Sequence, residues 1–212
     1  MTEQPRRPAG RTSGLDRRKR TTRRPKSSVL IMTEGRRTEP DYLAAIAELP
    51  HVRQRFDIQI DPSLAGRTPI KIVTGAARAP RRNQHGGEGF DSVWCVFDVE
   101  QPRPHPSLMR AVNLARDNDI DVAISNPCFE AWLIFHWQRM SQPMTTAQAV
   151  SLRQQLDGAK GKRVDGSLYL PMRQDAADHA RRLAERHSTN GRVLPDDNPS
   201  SGMFTLLDAL SA

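Results

Sequence analysis

The run "SVWCVF" at residues 92–97 constrains the fold more than any other part of the chain. Successive side chains of a strand point to opposite faces. A strand that is apolar at nearly every position is therefore covered on both of them, as in a parallel sheet flanked by helices. "VLIM" at 29–32 and "DVAIS" at 121–125 have the same character, while "RFDIQI" at 55–60 alternates through Phe56, Ile58 and Ile60. Helical patterns separate these strands: about 39–49, 69–79 and 107–118. Strands alternating with helices predict an α/β domain with crossover helices.

After the fourth strand the pattern turns helical. "NPCFEAWLIFHWQR" reads as a helix with Asn126 as its cap and Pro127 at its first position. Further helices are expected at 145–156 after Thr145, at 172–187 and at 202–210, joined by the loops "GAKGKRVDG" and "RVLPDDNPSSG". Thr38 is read as the cap of the first helix, with Asp41 as its capping-box partner. The stretch "RAPRRNQHGGEGF", 78–90, has no periodicity and reads as a loop.

The formal charge of +8 is unevenly placed. Residues 1–28 hold ten Lys and Arg against two acids, and the other 22 basic and 22 acidic residues cancel. Residues 1–27 are therefore read as a disordered basic tail and 28–212 as the folded domain. Such a tail suits polyanion binding, since each cation that meets a phosphate releases a counterion; a solvated solubility arm is the plainer alternative. No apolar run approaches the roughly 20 residues of a membrane span. Cys95 and Cys128 sit in apolar segments without zinc-site spacing, so they read as reduced core thiols of a cytoplasmic protein.

Ligands of open parallel sheets bind beyond the carboxyl ends of the strands. Glu34 follows the first strand, Asp98 and Glu100 follow the third, and Glu130 lies one turn beyond the fourth. In extended geometry the i, i+2 spacing of Asp98 and Glu100 puts both carboxylates on one face. Clustered acids repel, and a divalent cation such as Mg²⁺ or Mn²⁺ relieves that conflict with hard oxygen ligands. Such an ion can hold a phosphodiester and acidify a water, while an unligated carboxylate takes the proton. The plainer alternatives stay open. Glu34 could be a turn acid favoured by a helix dipole, and Asp98 and Glu100 a common strand-end pair. Glu130 shares an apolar helix face with Ile134 and Trp137, where a carboxylate needs a partner or an ion.

Arg36 and Arg37 beside Glu34, and Lys160, Lys162 and Arg163 in a glycine-bearing loop, are the candidate phosphate-gripping cations; pairing with the acids is the alternative for the first two and a solvated face for the other three. Trp94, Trp132 and Trp137 fall in expected core elements, so no base-stacking platform is evident. "HGGEG" lacks the lysine and the strand-to-helix setting of a P-loop.

"VLIMTEGRRTEPDYL", "WCVFDVEQ" and "ISNPCFEAWLIFH", with "NPSSGMFTLLDAL" near the end, resemble the RloB-like family over roughly residues 28–210. That family is similar to the TOPRIM group, which implies a small, Rossmann-like parallel sheet flanked by helices, here with a helical C-terminal portion. It also implies a Mg²⁺ site built from a glutamate after the first strand and an Asp-x-Asp after a later one. Glu34 matches that glutamate and Asp98 the first aspartate, while Glu100 is one methylene longer than the usual second aspartate. Glu130 matches the family's "CFE" glutamate.

The resemblance further implies a metal-dependent nuclease acting on DNA or RNA in anti-phage defence or abortive infection, often beside an ATPase partner. A homo-oligomer is compatible with the sequence. Two rivals stand beside the nuclease: a non-catalytic nucleic-acid-binding adaptor, and a regulatory subunit of an ATPase-containing complex.

Overall fold

The structure, a computed structural model, describes residues 25–82 and 88–211. Most of the basic tail and residues 83–87 of the 78–90 loop therefore lie outside the described residues. The chain runs β1 (Ser27–Thr33), α1 (Thr38–Ala47), α2 (Pro50–Arg55), β2 (Phe56–Asp61), α3 (Pro69–Ala76), β3 (Ser92–Asp98), α4 (Leu108–Asp117) and β4 (Asp121–Asn126). It continues through α5 (Phe129–Ile134), α6 (Thr146–Asp157), α7 (Gly166–Tyr169), a 3₁₀ turn (Leu170–Met172), α8 (Arg173–Thr189), β5 (Ser200–Ser201) and α9 (Met203–Ser211).

The five strands form one sheet in the order β2-β1-β3-β4-β5. The first four are parallel and β5 returns antiparallel to β4, pairing Ser201 with Ser125 and Ser200 with Asn126. Alternation along the central strands explains their wholly apolar sequences. Val29, Ile31, Trp94 and Val96 face a core shared with α1, α5, α8 and α9. Leu30, Met32, Val93, Cys95 and Phe97 face the opposite core against α3 and α4. Burying each large side chain of this kind contributes roughly 1.5–3 kcal/mol. β2 is an edge strand, so only one of its faces is covered, and Phe56, Ile58 and Ile60 alternate accordingly. Both cysteines are buried and free. Among the described residues no helix is long and apolar enough to cross a membrane.

Several local expectations are corrected. Thr38 does not cap α1: it is the first helical residue, its hydroxyl donates to the Lys162 carbonyl at 3.2 Å, and Asp41 accepts from the Val164 N–H instead of closing a capping box. Tertiary partners thus took both side chains. Asn126 does not cap α5 either. It is the last residue of β4, and its amide donates to Pro195 O and to the Asp197 carboxylate. Pro127 lies between strand and helix, and Cys128 occupies the cap position. α5 ends at Ile134, so Trp137 is past the helix and 39% exposed, whereas Trp94 and Trp132 are core. The expected Thr145 cap is present as a full capping box with Gln148.

Beneath α5, Tyr42, Trp132, His136 and Tyr169 meet edge to face. His136 Nδ1 lies 2.9 Å from the Trp132 carbonyl and its Nε2 3.2 Å from the Tyr42 hydroxyl. A neutral ring that donates through Nδ1 and accepts at Nε2 satisfies both partners. Burial, as the main cause, holds its pKa down at about 4. This knot fixes the helix whose second residue is Glu130.

Candidate metal and phosphate site

The carboxyl ends of β1 and β3 lie side by side, and the ladder continues one residue past β1 because the Glu34 N–H donates to Val96 O. That register sets the Glu34 side chain across the end of β3. Its Oε2 accepts from the Asp98 N–H at 3.0 Å, and its Oε1 lies 3.2 Å from His105 Nε2. The chain turns at Gly35, whose carbonyl accepts from the Thr33 hydroxyl and whose N–H donates to Glu39 Oε1 at 2.8 Å. A Cβ at position 35 would fall inside the Glu39 carboxylate. The glycine therefore leaves room for the next acid, which α1 delivers in its first turn, and a larger residue there would displace the Glu39 carboxylate.

Glu34, Gly35 and Glu39 line a recess of about 170 Å³ together with Arg36, Thr38, Gly66, Asp98, Glu100, Phe129, Glu130 and Lys162. Larger recesses exist, including one of about 610 Å³ around Trp94, Arg116 and Asp121. That one lies at the start of β4, away from the strand ends where parallel sheets bind ligands. The smaller recess gathers Glu34, Glu39, Asp98, Glu100 and Glu130, with the cations Arg36 and Lys162 among its walls.

Burial, opposed by the Asp98 N–H and His105, holds the Glu34 carboxyl above its usual range. Glu39, 3% exposed, is pushed up to about 7 by burial first and then by Glu130 and Glu34, against the Gly35 hydrogen bond. Asp98 is raised well above its ordinary value by burial, then by Glu39, Glu34, Glu130 and Glu100. Its residue keeps some exposed surface, but Oδ1 is buried with no hydrogen-bond partner among the described residues. The buried Cys128 thiol is pushed up by burial and by Asp98 and Glu130.

Glu100 reaches the recess by a different route from the one expected. Val99 is fully buried, and Glu100 has φ = 67°, so the extended i, i+2 geometry stops at Asp98. A non-glycine residue in the left-handed region costs roughly 1–3 kcal/mol and persists only where its surroundings hold it there. Here they do: the Glu100 N–H donates to Pro127 O, and its Oε2 accepts from the Thr146 hydroxyl at 2.7 Å.

Of the five expected phosphate-gripping cations, Arg36 and Lys162 line the recess, whereas Arg37, Lys160 and Arg163 are exposed outside its lining. Lys162 is placed by a buried arginine. Arg153, 2% exposed, donates to Gly161 O at 2.8 Å and to Arg163 O, carbonyls on either side of Lys162. Its Nε lies 2.9 Å from Asp157, which also accepts from the Tyr169 hydroxyl.

The donor set is all hard oxygen, and Asp98 offers an unpartnered one. Among the described residues no group of three or more His, Cys, Asp or Glu side chains is arranged to hold a metal ion as it stands. Mg²⁺ commonly takes only one or two carboxylates and keeps several waters. The chemistry of this lining suits an ion of that kind, with Asp98 as a residue that would hold it.

Residues 29–210 match the family described as RloB-like protein. No curated protein and no solved structure matches the chain.

Proposed function

We propose that this chain, which belongs to the RloB-like family, is a divalent-metal-dependent nuclease that hydrolyses phosphodiester bonds. The observation that carries the reading is Asp98 Oδ1, buried and without a hydrogen-bond partner among the described residues, in a recess walled by four further carboxylates. An unpaired buried oxygen costs about 1–3 kcal/mol, and a bound cation removes that cost. Asp98 and Glu100 would hold Mg²⁺ or Mn²⁺, with Glu34 as a further ligand or the general base. When bound, the ion supplies charge neutralisation at the phosphate and makes a coordinated water more acidic.

The chain's own groups divide the remaining work. Glu34 is oriented by the Asp98 N–H and by His105. Glu39 and Glu130 surround Asp98 with negative potential, which strengthens cation binding. Arg36 and Lys162 offset the charge of an incoming phosphodiester. The basic segment 1–27 raises the local concentration of nucleic acid through counterion release. The biological setting that fits is anti-phage defence with an ATPase partner, checked by co-purification from the native host.

Glu34→Gln and Asp98→Asn should keep the fold, read as an unchanged circular dichroism spectrum, and lower Mg²⁺-dependent cleavage of DNA or RNA by at least about 100-fold. The rival is a nucleic-acid-binding subunit without catalysis, and the basic segment 1–27 favours it, because polyanion attraction needs no chemistry at the acids. Wild-type protein that binds nucleic acid with either metal and never cuts it, alone or with its ATPase partner, establishes that rival.

A further inference from the structure

Between the segment that follows α5 and helix α8 lies a separate recess, of about 260 Å³. Arg139, Met140, Ser141, His179, Arg182, Leu183 and Arg186 line it. Arg182 and Arg186 stand one turn apart on α8, so they share a face. Arg139 comes from the segment that follows α5. Three exposed arginines therefore line one recess. Among the described residues none of them forms an ion pair with a carboxylate. The acids nearest in sequence are not available to them in kind: Asp178 is held by Arg181 at 2.6 Å, and Glu185 makes no ion pair with any of the three.

The recess is held in shape by the backbone. Arg186 Nη2 donates to Ser141 O at 3.1 Å. His179, 7% exposed, sets Nε2 against the Met140 N–H at 2.9 Å and packs edge-on to Phe135. Burial, followed by the charges of Arg182, Arg139 and Arg186, holds the imidazole below its ordinary pKa. All three cations thus act on one buried ring. Like charges kept together without a partner repel, and the planar, multi-donor geometry of arginine suits a phosphoryl group.

The recess is tied to the carboxylate site through the chain. Thr146, which donates to Glu100, is five residues from Ser141, so those two Cα atoms are at most about 18 Å apart. A strand of several nucleotides spans that interval.

We propose that Arg139, Arg182 and Arg186 form a phosphate-binding pocket that holds the backbone of a nucleic-acid strand at a distance from the carboxylates. The assignment of the phosphate to nucleic acid rests on the function proposed above, while the anion site itself rests on the arginines alone.

The test uses the full chain in EDTA, which separates binding from cutting. Fluorescence anisotropy with a labelled oligonucleotide compares wild type with Arg139→Gln/Arg182→Gln, a pair that leaves the Arg186–Ser141 contact intact, and with the triple variant. Affinity should fall about tenfold or more, and the dependence of log K on log salt should flatten by about one unit, as expected for one lost phosphate. The tail is common to all three proteins, so it cancels in the comparison. His179 ring resonances followed by NMR should move with the oligonucleotide and stay still with the same concentration of inorganic phosphate or ADP.

Unchanged affinity and salt slope in both variants overturn the pocket. A His179 response to inorganic phosphate or ADP that an oligonucleotide does not reproduce overturns the strand assignment in favour of a small phosphate ligand. Loss of binding in the variants, with a wild type that never cleaves, upholds the pocket and overturns the nuclease reading instead.

Discussion

Gly35 and Glu39 act as one unit. The glycine leaves room for the carboxylate and also donates to it. Gly35→Ala forces the end of the Glu39 side chain away, so we expect about 1 kcal/mol of destabilisation, the low end for overpacking because that end can shift, and loss of Mg²⁺-dependent cleavage. Removing the obstacle in Gly35→Ala/Glu39→Ala should restore the stability but not the cleavage. Urea melts of the two variants make the check; a double variant no more stable than the single one contradicts the steric account. Glu100 is a second residue whose backbone and side chain have opposed demands. Its φ of 67° would suit glycine, yet its carboxylate lines the recess.

These local facts also set how much of the site was legible beforehand. Glu34, Asp98, Glu100 and Glu130 stood out because each follows a strand whose apolar run is unmistakable. Glu39 did not, since an acid in the first turn of a helix already has an explanation in the dipole. His105 lies in the proline-rich "QPRPHP", where nothing in the spacing aims a ring at Glu34. Neither the convergence of Lys162 nor the divergence of Lys160 and Arg163 has a local signal, because a buried arginine on α6 sets that loop.

At the scale of elements, periodicity carried the four parallel strands and most helices to within a few residues. It failed where tertiary contacts override local chemistry: the caps of α1 and α5, and β5, two serines with no apolar signal. The ring knot under α5 has a measurable consequence. His136 is neutral when folded, with a pKa near 4 against 6.5 in the unfolded chain. A depressed histidine pKa means that the unfolded state binds the proton first. Its contribution to stability is therefore complete above pH 6.5 and lost as pH falls towards 4, by up to about 3 kcal/mol. His136→Gln cannot titrate there. The stability of wild type relative to this variant should fall by that amount between pH 7 and pH 4. Denaturant melts at a series of pH values read the difference, which also cancels the opposing drift from the carboxylates. A flat difference would mean that the ring charges as freely inside the protein as outside it.

For the molecule as a whole, a cation that binds only the folded state adds stability by mass action. At a concentration about 100-fold above Kd the gain is about 2.7 kcal/mol, or roughly 5–10 °C in Tm for a chain of this size. Mg²⁺ or Mn²⁺ should raise Tm accordingly, and Asp98→Asn should abolish the rise. An equal shift in that variant would place the ion elsewhere. The walls of the recess come from five stretches of chain, from Glu34 to Lys162. Synthesis delivers them one after another, and the loop bearing Lys162 emerges only after all five acids. A ribosome-bound fragment that stops short of residue 162 therefore carries an unfinished recess, whose acids still lack one of their two cationic walls.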